Sequence, residues 1–373
     1  MKVCLYIFLL LLITGNSISA QESIQFENKT DYLSELLTHT SPNEGADLHF
    51  IGWLLNSSTL TFDKRHSFHL GLMLTHGGEP SVNIIGDLQT FSNLEAGFLY
   101  GFNEVFYQYE HNDFWLKIGQ QDINSDFAFT TNGLFYTHSS FGIDPLSTIN
   151  MPAPTYPVTA FSVTSRFKLT PDIALQLGIF DGQFALPENN FLTIDWTMNK
   201  DEGLIYIIEP ELSLLQGKWI QKVGFYYHSG LFTQKSDASI TRGLSTFYLI
   251  GDIRLRAWEN RSLDLFYQFS TSSSAVSDLD HYYGLGLKMT NPFNNGSGDE
   301  LGIALGHASI NTQFQSVRDA YDMSGETVVE LTYKRRINPW LELQPYFQYI
   351  GFHNQQSSMS NPMVFALRGL FAF

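Results

Sequence analysis

The chain has 373 residues, 16% of them charged and 15% aromatic, with a formal charge of −16 and a single cysteine. That acidity argues against a nucleic-acid partner. The lone cysteine excludes a disulfide framework or a thiolate metal site.

Residues 1–20 read as a secretory signal. Lys2 supplies the positive start, Val3 to Thr14 an apolar stretch, and Ser17-Ile18-Ser19-Ala20 a small-residue cleavage site. The stretch is too short for a comfortable transmembrane helix. Cys4 lies inside it, not at the cleavage point where a lipoprotein needs it. The mature chain is expected to begin near Gln21 as one domain, 21–373, free of cysteine. Sequons at Asn28, Asn56, Asn260 and Asn295 are short enough to arise by chance.

From there the chain repeats one theme, a strand, a gap and another strand. Sixteen candidates lie near 24–34, 46–62, 66–76, 96–109, 114–122, 156–168, 173–183, 203–214, 219–231, 243–257, 262–270, 280–289, 300–308, 327–336, 341–350 and 362–373. The first carries the weakest pattern. After every even-numbered strand the gap is mostly tight and rich in turn formers, as in Asp63-Lys64-Arg65-His66, Leu169-Thr170-Pro171-Asp172 and Ile337-Asn338-Pro339-Trp340. The odd-numbered gaps are generally longer, among them 77–95, 123–155, 184–202 and 309–326. Trp115, Trp219, Trp258 and Trp340 stand beside the tight turns, where an interfacial aromatic girdle would lie.

Each strand has one oily and one wet face. Glu104, Gln108 and Glu110 oppose Val105, Tyr107 and Tyr109. Asp252, Arg254 and Arg256 oppose Leu249, Ile253 and Leu255; Asp264 and Gln268 oppose Leu265, Tyr267 and Phe269. At the end, Glu330, Thr332 and Lys334 oppose Val329, Leu331 and Tyr333; Glu342, Gln344 and Gln348 oppose Leu343, Phe347 and Tyr349; Arg368 opposes Phe365, Leu367 and Phe371. A Lys or Arg facing lipid at mid-bilayer costs roughly 2–4 kcal/mol, so keeping charges on one face is what a membrane barrel demands. The fold expected is all-β: a transmembrane antiparallel β-barrel of about sixteen strands, short turns periplasmic and long loops extracellular. A last strand running to Phe373 suggests one that closes a sheet.

A barrel of that size holds an aqueous channel. The long loop from Asn124 to Thr155 carries Phe127, Phe129, Phe135, Tyr136 and Phe141 with few charges; it either folds into the pore or caps it outside. Aromatic rings stack on the apolar faces of a pyranose, and forked polar groups bind its hydroxyls. Motifs of metalloproteases, serine hydrolases and phosphate-binding loops are absent. His66 and His69 sit at a turn and strand start, and Asp278 with Asp280 at a loop–strand junction, positions that suit solvation better than chemistry.

Several strings in order resemble the carbohydrate-selective porin (OprB) family. They are Ile85-Gly86-Asp87-Leu88-Gln89-Thr90, Ser92-Asn93-Leu94-Glu95, Glu104 with Tyr107-Gln108, and Lys117-Ile118-Gly119-Gln120-Gln121-Asp122 with Phe127. Tyr156-Pro157-Val158, Gly178-Ile179-Phe180-Asp181-Gly182, Glu330-Leu331-Thr332-Tyr333, Leu343 to Ile350 and Arg368 continue the series. The resemblance covers roughly 82–373; the first 80 residues match poorly, and His353-Asn354-Gln355-Gln356 departs from the family's pattern after the penultimate strand. It implies a sixteen-stranded outer-membrane barrel of a Gram-negative bacterium passing monosaccharides, with no cofactor and no catalysis. Alternation and these strings together nominate Glu104, Gln108, Lys117, Asp122, Phe127, Arg254, Glu330, Gln344 and Arg368 as pore-lining groups, with small sugars as permeants and outer-membrane lipid around a monomer or homo-oligomer. A barrel hydrolase acting on lipid or glycan, a non-selective general porin and a plugged barrel serving as adhesin or anchor are the other readings.

Overall fold

The computed structural model describes residues 24–40, 47–183, 192–199, 201–294, 298–353 and 361–373. Residues 1–23 with Cys4, the Asn295 sequon, much of the 184–202 gap and residues 354–356 lie outside the described residues.

Sixteen antiparallel strands close into one barrel, each bonded to its sequence neighbours, with β1 joined to β16. They are β1 Ile24–Thr40, β2 His49–Phe62, β3 His66–His76, β4 Tyr100–His111, β5 Phe114–Gln121, β6 Ala160–Thr170, β7 Ile173–Asp181 and β8 Leu204–Leu214. The second half is β9 Trp219–Thr233, β10 Ile240–Ala257, β11 Ser262–Ser272, β12 Leu279–Thr290, β13 Glu300–Ile310, β14 Gly325–Asn338, β15 Leu341–His353 and β16 Met363–Ala372. Every strand expected from alternation is present. The one with the weakest pattern, β1, is 17 residues long and pairs along both edges, Leu36 with Leu367 on one side and with Phe50 on the other. Closure removes every open edge, which a sheet in hydrocarbon requires.

The expected faces are the observed ones. Ile303, Leu305, Leu331, Phe365 and Leu367 are exposed on the outside, while Glu330, Gln348 and Val364 point inward and are buried. Trp340 is half exposed beside its short turn and stacks near Phe371. Trp219 hydrogen-bonds the outward Tyr267 hydroxyl at 2.8 Å. Trp115 departs from the girdle reading. It pairs with Glu110 in the register and lies 4.8 Å under the Lys117 ammonium, on the inner face. Proximity to a turn sets depth but not the face, which the two-residue period decides.

The hydrophobic core lies inside the barrel. One cluster joins wall residues Leu37, Ile51, Phe266, Val328 and Ile350 to loop residues Phe91, Leu94, Phe135, Tyr136 and Phe141. A second joins Ile205, Ile207, Tyr226 and Tyr248 of the wall to Ile123, Phe127 and Met151. Two of the long loops have entered the lumen, 77–99 between β3 and β4 and 122–159 between β5 and β6. The open question about the longer loop is thus settled inward, and 77–99, expected only to be long, follows it. The wall makes room with glycine. A Cβ on Gly302 would stand 2.6 Å from both the Phe135 ring and the Tyr136 hydroxyl. Replacing the outward Leu305, midway along β13, by Arg should lower the unfolding free energy in bilayers by about 2–4 kcal/mol, read from denaturant titration of the liposome-bound barrel.

Candidate functional site

A loop inside a barrel carries backbone N–H and C=O groups away from bulk water, and each needs a partner. The inner wall supplies them. Glu326 accepts from the amides of Leu88 (2.6 Å) and Gln89 (3.1 Å). Glu330 accepts from Thr137 and His138, both at 2.9 Å. Asp252 takes Thr131 (2.8 Å) and Asn132 (2.9 Å), Glu209 takes Ala128 (2.9 Å), and Glu104 takes Asp122 (3.0 Å). The loop carbonyls are met by wall amides: Gln348 donates to Phe91 (2.9 Å), Gln344 to Phe135 (2.9 Å), Gln268 to Phe141 (3.0 Å) and Gln176 to Asp126 (2.6 Å). A carboxylate receiving N–H groups makes charge-assisted bonds, stronger than neutral ones. His138, within the longer loop, is wholly buried, and that burial pulls its imidazole down to about 3, so it stays neutral.

The seam of the barrel joins this network. Glu35 of β1 and Arg368 of β16 are direct register partners. The Arg368 guanidinium donates through Nε to Glu35 at 2.6 Å and through Nη2 to the Asn93 side chain of the shorter loop at 2.6 Å. Glu35 also accepts from Ser92 Oγ (2.7 Å) and the Tyr346 hydroxyl (3.0 Å). One buried ion pair therefore ties the first strand, the last two strands and an inserted loop.

Among the described residues, two spaces lie in the lumen. The larger is about 720 Å³ and lies toward the long-loop end, walled by Trp53, Leu94, Glu95, Asn103, Glu104, Asp122 and Tyr156, among others. The smaller, about 150 Å³, lies toward the short turns, among Phe135, Lys334, Glu342, Gln344 and Leu370. Leu33, Leu134 and Arg368 line both. Trp53 meets Tyr156 edge to face with ring centroids 5.7 Å apart, and the Tyr156 hydroxyl donates to the Leu94 carbonyl at 2.8 Å. Burial drives the Tyr156 phenol well above its ordinary value and pushes the Glu95 carboxyl up to about 8.

The nominated residues divide on this geometry. Glu104, Asp122 and Arg368 come together at the larger chamber, and Gln344 with Arg368 at the smaller. Glu330 faces inward as alternation requires but is fully buried by the loop it holds. Phe127 is likewise buried, its ring 6.1 Å from that of Phe180, so it wedges the loop and meets no open space. Lys117 is paired with Asp126 at 2.8 Å and lines neither chamber. Gln108 donates to Glu110 at 3.2 Å, and Arg254 pairs with Asp264 at 2.7 Å; both lie near the short turns, away from either chamber. Leu33, Glu35, Trp53, Asn93, Asn103 and Leu134 belong to the site and were not nominated. Glu35 and Trp53 alternate onto the inner face of β1 and β2, the signal that would have found them.

No curated protein sequence matches the chain. Among solved structures it is similar to the high pH structure of Pseudomonas putida OprB, at 17% identity over 93% of this chain and 94% of that one, with a TM-score of 0.82. It is also similar to the outer membrane channel DcaP of Acinetobacter baumannii, at 7% identity over 95% and 99% with a TM-score of 0.60. A loop L8 deletion mutant of Vibrio cholerae OmpT follows, at 10% identity over 94% and 100% with a TM-score of 0.55. These likenesses bear on the fold alone, a closed antiparallel β-barrel. The sequence model of the carbohydrate-selective porin, OprB family, matches residues 64–373, and the chain belongs to that family of sugar porins.

Proposed function

We propose that small sugars cross by one route: into the larger chamber, through the ring of Leu33, Leu134 and Arg368, and out by the smaller chamber. The observation that carries this is that those three side chains line both spaces, so they stand where the two meet. The chemistry suits a pyranose. Trp53 and Tyr156 offer ring faces to its C–H surfaces, Asn103, Glu104 and Asp122 accept from hydroxyls, and Arg368 donates. Arg368 is held at two of its nitrogens by Glu35 and Asn93, which fixes the guanidinium at the ring. Flow is passive. Residues 1–20 direct export and are removed, supported by the short apolar stretch and the small residues at 17–20.

In liposomes containing the mature protein, glucose or xylose should enter faster than amino acids of equal size. Arg368→Ala should shrink that preference several-fold, and entry governed by size alone would contradict the sugar route. Glu330→Ala removes the acceptor of two loop amides, a loss of about 1–3 kcal/mol per buried group left unpaired. The loop should then loosen, raising single-channel conductance and exposing 130–140 to protease.

A further inference from the structure

The two chambers differ in charge. Glu95, Glu104 and Asp122 line the larger one, with Arg368 as its only Lys or Arg among the described residues. Arg368 is already neutralised by Glu35. Other inward cations are engaged elsewhere: Lys117 on Asp126, Arg166 on Glu211, Lys222 near Glu209 and Glu211, Arg254 on Asp264, and Lys288 and Lys334 on Glu300. None of the ion pairs within 4.0 Å among the described residues includes Glu95, Glu104 or Asp122. What these carboxylates receive is backbone amide: Ser81 on Glu95, Asp122 on Glu104, and Asn124 and Tyr156 on Asp122.

A second observation comes from Asn103. The residue is 9% exposed, it borders the same chamber, and its buried Oδ1 accepts no hydrogen bond. It sits beside Glu104 at the register shift between β3 and β4, where Gly71 pairs with Glu104 and Leu72 with Phe102, leaving Asn103 as the extra residue. The chamber thus presents the carboxyl groups of Glu104 and Asp122 with no cation at ion-pair distance among the described residues. Burial without a cation has pushed the carboxyl of Glu95 up to about 8 and raised that of Asp122. A ligand that brings its own ammonium supplies the missing partner and three donors at once.

We propose that the larger chamber is a subsite for amino sugars, holding a protonated hexosamine in preference to a neutral hexose and rejecting a hexuronate. This rests on the reading that sugars pass through that chamber. The preference sits in the carboxylates of Glu104 and Asp122.

The test is current block in planar bilayers containing the mature protein, at pH 7.0 and matched ionic strength, with glucosamine, glucose and glucuronate as probes. Glucosamine should interrupt the current at a concentration about fivefold or more below that needed for glucose, and glucuronate should not interrupt it, since one unscreened pair near 4 Å outweighs a neutral contact. Glu104→Gln combined with Asp122→Asn should erase the gap between glucosamine and glucose. If the double variant fails to fold, Asp122→Asn alone should narrow the same gap. Equal block by glucosamine and glucose, or block by glucuronate, overturns the proposal while the sugar route stands. Absence of block and of entry for glucose itself removes the route, and the proposal with it.

Discussion

The constraint on which the rest depends is the hydrogen-bonding demand of loop backbone placed inside a membrane barrel. Sixteen strands enclose a wide lumen. Narrowing it means inserting chain, and inserted chain brings amides and carbonyls that water no longer reaches. Glu104, Glu209, Asp252, Glu326 and Glu330 meet the amides, while Gln176, Gln268, Gln344 and Gln348 meet the carbonyls. Once these are satisfied, Phe91, Phe135, Tyr136 and Phe141 can bury their rings against the wall, and the lumen becomes a packed core with a passage left in it. Polar wall and apolar loop are complementary roles: the wall gives hydrogen bonds, the loop gives burial.

The Glu35–Arg368 pair adds a second economy of structure. A buried ion pair is a weak stabiliser by itself, because desolvation offsets attraction, and it persists where further bonds satisfy both partners. Here Ser92, Tyr346 and Asn93 do so. The pair fixes the register at the seam, docks the shorter loop and presents Arg368 to both chambers. Removing either partner leaves the other charge buried, so closure and passage are energetically linked at one point.

Much of the fold was legible in the chain. Two-residue alternation located every strand, and the short and long gaps alternate as the sequence has them. Alternation also assigned Glu330, Gln344 and Arg368 correctly to the inner face. It could not say what packs against that face: for Glu330 the neighbour is loop backbone, for Arg368 it is the Glu35 carboxylate and the Asn93 side chain of the shorter loop at the edge of a chamber. Glu35 and Arg368 lie 333 positions apart, and nothing local in either strand announces the other. The inward turn of 77–99 was hidden for a similar reason. Its polar string Asp87-Leu88-Gln89-Thr90 looks solvated until Glu326 is seen waiting for its amides. Trp115 marks the opposite error, where position along the chain gave the depth but the face had to be read from its own parity.

The central claim is that the ring of Leu33, Leu134 and Arg368 is the passage itself. Because Cys4 is the only cysteine, Leu134→Cys in protein prepared without residues 1–20 places a single thiol at that ring. The measurement is glucose entry into liposomes before and after reaction of that thiol with a water-soluble methanethiosulfonate. The account predicts that modification stops glucose entry and that excess glucose slows the modification. Full modification with unchanged glucose entry would contradict it.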